Sequence, residues 1–158
     1  MMAAVEERNG IREFAFEKAD FKNVQQMLFK KAGINLSDAK EAMVYSRLAR
    51  RIRALNLKSF SEYLGVVNQS EAELEQFINA LTTNLTSFFR EPHHFTALAE
   101  YLRQHSNVTN IWCAASSTGE EPYSIAMVVA EAFGSFKTPV KIIASDIDSK
   151  VLSKAKAG

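Results

Sequence analysis

The chain has 158 residues, of which 47% are hydrophobic and 23% charged, and its formal net charge at pH 7 is +1. This composition is typical of a folded globular protein, and it excludes a disordered chain, a collagen-like chain and a disulfide scaffold. The near-neutral charge gives no signature of nucleic-acid binding, so we expect no nucleic acid among the partners.

The single cysteine and the absence of long apolar runs predict a cytoplasmic protein. Cys113 cannot form an internal disulfide and points to a reducing compartment. No apolar run approaches the ~18 residues that cross a bilayer, so we expect no membrane insertion. Residues 1–12 are polar and of mixed charge, which predicts a flexible tail rather than a signal peptide.

The next part of the chain, residues 13–90, has the hydrophobic periodicity of helices throughout. Apolar side chains recur at three- and four-residue intervals, as they do along the buried face of a helix. We therefore predict an all-α N-terminal domain. Its four predicted helices cover residues 14–32, 37–55, 59–67 and 71 to about 85.

The pattern changes at Asn110. A helix predicted from Pro92 serves as a linker, and two short apolar runs, 111–115 and 140–144, are each followed by a helical stretch. Strand, helix, strand and helix in this order open a parallel α/β sheet. For residues 91–158 we therefore predict the linker helix and the first β-α-β-α part of a Rossmann-like domain.

The loop at 116–119 and the acid at Asp146 point to a particular ligand. A strand that leads through small residues into a helix is how α/β folds bind nucleotide-like ligands. The loop lacks the phosphate-binding glycine patterns, and Glu120 and Glu121 would repel phosphate but favour a cation. Asp146 follows the second strand, where a carboxylate can bind ribose hydroxyls. A ligand with ribose, positive charge and no phosphate is predicted, and S-adenosylmethionine fits.

Helix capping is the alternative interpretation of the same polar residues. Ser117 with Glu120 and Thr118 with Glu121 both match the capping-box pattern. Asp148 likewise precedes a predicted helix and is a suitable cap.

The segment around Arg90 has an unusual composition. Four hydroxyl side chains and an amide lie in 82–87, followed by Phe88, Phe89 and Arg90. Short polar side chains compete for backbone hydrogen bonds, so the helix should loosen here and leave a ligand-binding wall. The alternative is an interdomain connector whose two phenylalanines lie in the core. His93 and the adjacent histidine do not have metal-ligand spacing, and we predict no metal site.

The second predicted helix is strongly basic. With its flanks it carries six basic side chains and one acidic one. Arg47, Arg50, Arg51 and Arg53 spread around the side opposite its apolar stripe. Such a surface is either a solvated face or a docking surface for an acidic partner.

The segments ALTTNLTSFFR at 80–90, AASSTGEEPYS at 114–124 and ASDID at 144–148 together resemble the chemotaxis receptor methyltransferases, the CheR family. The resemblance extends from about residue 14 onward. It implies a class I S-adenosylmethionine-dependent methyltransferase domain. It further implies methyl transfer from that cofactor to glutamate side chains on chemoreceptor cytoplasmic helices, with S-adenosylhomocysteine as the product.

The resemblance also implies roles for individual residues. Arg90 would lie near the cofactor carboxylate, Glu121 would face its charged methionine portion, and Asp146 would bind the ribose. Since a glutamate nucleophile is already ionised at pH 7, no catalytic acid or base is expected. The implied cofactor-binding set is Asn84, Thr86, Arg90, Ala114, Gly119, Glu121 and Asp146, and the implied receptor-docking set is Arg47, Arg50 and Arg53.

Three alternatives remain open from the sequence. The chain could be a basic helical module that binds nucleic acid, or a methyltransferase with RNA or a small molecule as acceptor. It could also be a regulatory or crippled fragment that binds a partner or the cofactor weakly without turnover, since a full methyltransferase sheet has more strands than the two predicted here. Two unpaired strand edges would then expose apolar surface. We accordingly expect little or no methyl transfer by this chain alone and a tendency to dimerise or aggregate.

Overall fold

The computed structural model describes residues 12–158, which fall into two compact units. The first unit ends at Leu81, and the second is Thr82–Gly158. The division lies earlier than the boundary predicted at residue 90, because Thr82 and Asn84 hydrogen-bond to Asp148 in the second unit. The tail predicted over 1–12 lies outside the described residues except for Arg12.

The described part of the first unit is helical, as the sequence predicts. Its helices are α1 (Lys18–Ala32), α2 (Glu41–Ala54), α3 (Phe60–Gln69) and α4 (Glu71–Leu81), and a 3₁₀ turn, Asp38–Lys40, precedes α2. One apolar face of each helix supplies a common core. Its most deeply buried members are Val24, Leu28, Val44, Leu48, Ile52, Phe60, Tyr63, Val67 and Phe77.

Several helix ends differ from the prediction. α2 begins at Glu41 rather than at residue 37, because a 3₁₀ turn comes first, and α3 ends at Gln69 rather than at residue 67. Two further ends differ for local reasons. α1 begins at Lys18 rather than at residue 14, because the Glu17 backbone N–H donates to Asp20 Oδ2 at 2.9 Å and closes a capping box. α4 ends at Leu81 rather than near Leu85, where the run of hydroxyl and amide side chains begins. Leu85 is 76% exposed, so its predicted place on the buried face is wrong.

The second unit has the predicted order of strands and helices. It contains α5 (His93–Gln104), β1 (Asn110–Ala114), α6 (Glu120–Phe133), β2 (Lys141–Ser145) and α7 (Ser149–Ala157). β1 and β2 pair in parallel, so that the carboxyl ends of both strands lie at the same edge of the sheet. The apolar core of this unit lies among α5, β1 and α6 and includes Phe95, Leu102, Cys113, Ile125, Val128 and Val129.

One face of this sheet carries exposed apolar side chains. Trp112 on β1 and its register partner Ile143 on β2 are 70% and 45% exposed. The Trp112 indole N–H donates to the Ser145 hydroxyl at 3.0 Å. This face is therefore the apolar surface that the sequence predicts for two strands without further neighbours.

Within residues 12–158, no helix has both the length and the apolarity needed to cross a bilayer. The same residues contain no cluster of three or more histidine, cysteine or acidic side chains that could hold a metal ion. His93 and His94 are exposed, and their rings lie edge to face with centroids 4.1 Å apart.

Candidate ligand site at the strand ends

The carboxyl ends of β1 and β2 carry a loop that is folded closely against its neighbours. Ser116 N–H donates to the Ser145 carbonyl at 2.9 Å, which continues the pairing of β1 with β2 beyond Ala114. In open α/β sheets, ligands bind in the crevice outside these carboxyl ends. The fold therefore brings the predicted loop and Asp146 to the edge where binding sites form.

The loop at 115–119 turns through three left-handed residues. Ala115, Ser117 and Gly119 have φ angles of 59°, 49° and 105°. Gly119 is required for a second reason, because a Cβ atom there would lie 3.1 Å from the Cβ of Ala155 on α7. The absence of this side chain allows α7 to pack against the loop, and Gly119 is buried.

The helix that follows this loop begins without a side-chain cap. Gly119 is the N-cap residue of α6, and neither predicted capping box forms. The Thr118 hydroxyl instead donates to Glu120 Oε2 at 2.6 Å. The Ser117 box is absent because the Ser117 hydroxyl donates to the carbonyl of Asn84 at 3.0 Å, and the Thr118 box is absent because the Thr118 hydroxyl is bonded to Glu120.

The side chain of Asp146, which directly follows β2, links the end of this strand to the loop at 115–119. Its Oδ2 accepts from the Ser117 backbone N–H and its Oδ1 from the Asp148 backbone N–H, each at 2.8 Å. The side chain is half-buried. A carboxylate oxygen has two lone pairs, so both oxygens of Asp146 keep acceptor capacity for a ligand hydroxyl.

Asp148 is the most connected polar side chain of the site. Its Oδ1 accepts from the backbone N–H groups of Lys150 and Val151 and caps α7, as the capping interpretation predicts. Its Oδ2 accepts from the Thr82 hydroxyl at 2.9 Å and the Asn84 amide at 2.7 Å. Asp148 is 2% exposed. Burial acts to raise its pKa, but the four donors outweigh burial and hold the pKa below its usual range.

The 82–90 segment, residues Thr82 to Arg90, is held at both of its ends. Near its start lie the bonds to Asp148, and near its end Phe89 N–H donates to the Ser124 hydroxyl at 3.0 Å. Arg90 is exposed, and its guanidinium donates to the Leu85 carbonyl at 3.2 Å. The helix thus loosens where the sequence predicts.

The two phenylalanines of this segment do not form a core. Phe88 and Phe89 are 56% and 43% exposed, so the interpretation that placed them in the interior is wrong. The Phe89 ring contacts the edge of Phe95, with centroids 5.3 Å apart. Phe88 and Phe89 therefore add accessible apolar surface to the otherwise polar 82–90 segment.

Negative charge gathers at the strand ends. Cys113, the penultimate residue of β1, is 3% exposed, and burial is the main cause that raises its pKa to about 11. The carboxylates of Glu121 and Asp146 add to this rise, because both lie close enough to disfavour a thiolate. Glu121 is exposed, and Ala114 at the end of β1 is exposed as well. The edge therefore presents two carboxylates and accessible backbone.

The four arginines of α2 lie in four different environments. Arg51 is turned toward the core and forms two hydrogen bonds with Glu73, and Arg47 donates to the Ala80 carbonyl at 3.2 Å. Arg53 is exposed and pairs with Glu13. Arg50 is exposed, and none of the described residues forms an ion pair with it. The four arginines therefore do not form one uniform solvated face.

Comparison with known proteins identifies the family. Residues 19–82 match the model of the CheR methyltransferase all-alpha domain, and residues 84–158 match that of the CheR methyltransferase SAM binding domain. Together the two matches cover nearly all of the described chain. The chain belongs to the CheR methyltransferase family. The boundary between the two matched domains, at residues 82–84, lies within three residues of the point where the structure divides, after Leu81.

Named relatives agree with the family match. The chain is 51% identical over 152 residues to chemotaxis protein methyltransferase 2 of Pseudomonas aeruginosa, covering 94% of this chain and 54% of the relative. It is 51% identical over 149 residues to the chemotaxis protein methyltransferase of Salmonella typhimurium, covering 93% and 52%. The corresponding Escherichia coli protein is 50% identical over 146 residues, covering 91% and 51%. The chain spans about half the length of these CheR relatives.

Within this CheR domain, the predicted cofactor-binding residues differ in where they lie and in whether their side chains are already hydrogen-bonded. Asp146, Glu121, Gly119 and Ala114 lie at the strand ends, where the prediction puts them. Asn84 is there too, but its amide is bonded to Asp148. The sequence pattern predicts Asp148 only as a helix cap. The helix-capping pattern was visible in the sequence, whereas a contact with Asn84 across more than sixty residues had no local signal.

Proposed function

We propose that this chain binds S-adenosylmethionine at the carboxyl ends of β1 and β2. The observation that carries the proposal is the pair of carboxylates, exposed Glu121 and half-buried Asp146, which the fold brings to the strand ends. Burial is the main cause of the raised pKa of the neighbouring Cys113 thiol, and the negative field of these two carboxylates adds to it. Such a field attracts a cationic ligand and repels a phosphate. The family match to a SAM binding domain over the same residues supports the proposal.

The proposed binding roles follow from the chemistry of each side chain. Glu121 faces the positive charge of the methionine portion, and Asp146 accepts hydrogen bonds from ribose hydroxyls with its remaining lone pairs. Arg90 binds the carboxylate through its planar guanidinium. The small residues Ala114 and Gly119 leave room for a ligand against the backbone. Asn84 and Thr86 supply polar groups from the 82–90 segment.

We infer that the chain forms part of a protein-glutamate O-methyltransferase that modifies chemoreceptors. When bound, the cofactor supplies a methyl group on a sulfonium. A glutamate side chain with a pKa of about 4.3 is already ionised at neutral pH and needs no general base. The protein has to align the two reactants and exclude water, so binding residues carry the catalysis. Methylated receptor glutamates would lie on cytoplasmic helices, which puts the chain in the cytoplasm.

Calorimetric titration with S-adenosylhomocysteine tests the binding proposal directly. We expect saturable binding with one site per chain, and no binding of NAD, whose pyrophosphate meets the field of Glu121. Binding of NAD with an affinity equal to that of S-adenosylhomocysteine would contradict the charge argument. A lack of S-adenosylhomocysteine binding would contradict the proposed function itself.

We further propose that α2 docks an acidic receptor helix through Arg50, with Arg47 and Arg53 beside it. Arg50 is the member of this set whose charge is exposed without an ionic partner among the described residues. Arg53 must first leave Glu13, and Arg47 already donates to Ala80. Exposed charges of this kind steer association and fix register more than they add affinity.

Replacing Arg50 with alanine should weaken binding of an acidic receptor-helix peptide about fivefold at low salt, because an exposed ion pair contributes at most about 1 kcal/mol. Fluorescence anisotropy with a labelled peptide at several salt concentrations measures this loss. The matched control is Lys22→Ala, which removes an exposed cation from α1. Equal losses for both variants would show that only net charge matters. Tighter binding of duplex DNA than of the peptide would favour the nucleic-acid alternative.

A further inference from the structure

The buried carboxylate of Asp148 joins two parts of the second unit that lie far apart in sequence. One oxygen, Oδ1, serves only the backbone of α7. The other, Oδ2, serves only side chains of the 82–90 segment, those of Thr82 and Asn84. A helix cap needs just the first of these oxygens. The second oxygen therefore has a separate role.

The bond to Asn84 extends to the ligand loop. The Asn84 amide donates to Asp148, and the Asn84 carbonyl accepts from the Ser117 hydroxyl. Ser117 in turn donates its backbone N–H to Asp146. Asn84 is thus fixed through both its side chain and its backbone, and it connects α7 to the loop that follows β1.

The orientation of the Asn84 amide follows from this contact. An ionised carboxylate only accepts hydrogen bonds, so the atom of Asn84 that faces it must be the nitrogen. The carbonyl oxygen Oδ1 is then directed away from Asp148, and it accepts no hydrogen bond from residues 12–158 in the structure. A neutral residue at position 148 would not impose this orientation.

We propose that Asp148 is a positioning residue for cofactor binding: it holds the 82–90 segment at the strand ends and fixes the amide of Asn84 with Oδ1 available as an acceptor. This inference rests on the proposed function. Asp148 acts through Asn84 and Thr82, since its own two oxygens are already occupied by four donors.

Asp148→Asn separates the two roles of this side chain. Asparagine is as good a helix cap as aspartate, and its oxygen can replace Oδ1 toward Lys150 and Val151. Its nitrogen then replaces Oδ2 and meets the nitrogen of Asn84, donor against donor. We expect affinity for S-adenosylhomocysteine to fall about tenfold, since hydrogen bonds to charged groups are among the stronger ones. Hydrogen–deuterium exchange across 82–90, measured without ligand, should become faster.

The double variant Asn84→Asp with Asp148→Asn exchanges donor and acceptor across the same contact. We expect it to restore slow exchange across 82–90 and to recover part of the affinity for S-adenosylhomocysteine, since position 84 itself also supplies a polar group to the site. A role confined to stability would not give this rescue of binding. Asp20→Asn is the matched control, because Asp20 belongs to the capping box of α1 in the first unit. It should leave the affinity unchanged.

The results distinguish the positioning role of Asp148 from the proposed function as a whole. If Asp148→Asn binds within twofold of wild type, the positioning role is refuted while the proposed function stands. If the double variant binds as weakly as the single one, the contact is structural and the positioning role is again refuted. Should Asp148→Asn fail to fold, Thr82→Val removes one donor to Oδ2 and must still speed exchange across 82–90. If wild type binds no S-adenosylhomocysteine, both inferences are overturned.

Discussion

Glu73→Gln should lower the free energy of unfolding of the first unit by roughly 2–3 kcal/mol, because it removes the charge that compensates a partly buried guanidinium. Arg51 donates to both oxygens of Glu73, at 2.9 and 2.7 Å, and the Tyr63 hydroxyl donates to Oε1 at 3.0 Å. Glu73 is 7% exposed and Tyr63 fully buried. Urea denaturation followed by circular dichroism measures the change.

The electrostatics of this cluster agree with the expected loss. The hydrogen bond to Glu73 raises the pKa of Arg51, and burial followed by the charge of Glu73 raises the pKa of Tyr63 far above its usual range. The control is Glu13→Gln, which breaks the exposed pair with Arg53. Exposed pairs contribute little, so its unfolding midpoint should match that of wild type within error. Equal destabilisation by both variants would contradict the claim that burial makes the Arg51–Glu73 pair contribute more to stability than the exposed Arg53–Glu13 pair.

Asp146→Ala should weaken binding of S-adenosylhomocysteine by about 100-fold. The substitution removes the proposed ribose acceptor and leaves the backbone N–H groups of Ser117 and Asp148 without their partners. The loop after β1 would then lose one of the contacts that hold it at the end of β2, and it would keep the bond from the Ser116 N–H to the Ser145 carbonyl. Calorimetry on wild type and variant gives the ratio of dissociation constants.

The control for this experiment is Asp38→Ala. Asp38 accepts a hydrogen bond from Gln25 in the first unit, at 3.1 Å, and has no part in the strand ends. Its replacement should leave the dissociation constant unchanged. An Asp146 variant that still binds with wild-type affinity would remove this residue from the site.

Much of the fold follows from the sequence because it depends on local patterns. The periodicity of 44–55 predicts α2, and the apolar runs at 111–115 and 140–144 predict β1 and β2 within one residue. Ser59 caps α3 as a serine before an apolar run should, accepting from the Glu62 N–H at 3.1 Å. Each of these features is decided by residues that are near neighbours in the chain.

The details of the site depend on contacts that no local pattern reveals. Ser117 fits a capping box in sequence, yet Asn84 competes successfully for its hydroxyl. Helix α2 shows four similar arginines, but a glutamate two helices away selects Arg51 for a buried pair. The sequence therefore indicates which residues are polar and where they lie, whereas tertiary contacts determine which of them remain available to a ligand.

The exposed arginines of α2 and the carboxylates at the ends of β1 and β2 should respond differently to ionic strength. Arg50 and Arg53 are open to solvent, where counterions screen charges over about 8 Å at physiological salt. Asp146 is half-buried and bonded to backbone N–H groups on both oxygens, so counterions screen it less. Added salt should thus weaken the docking of an acidic partner on α2, and the attraction of exposed Glu121 for a cation, more than the hydrogen bonds proposed from Asp146 to a ribose. The affinity of α2 for an acidic partner and the affinity of the strand ends for their ligand should therefore depend on ionic strength to different extents.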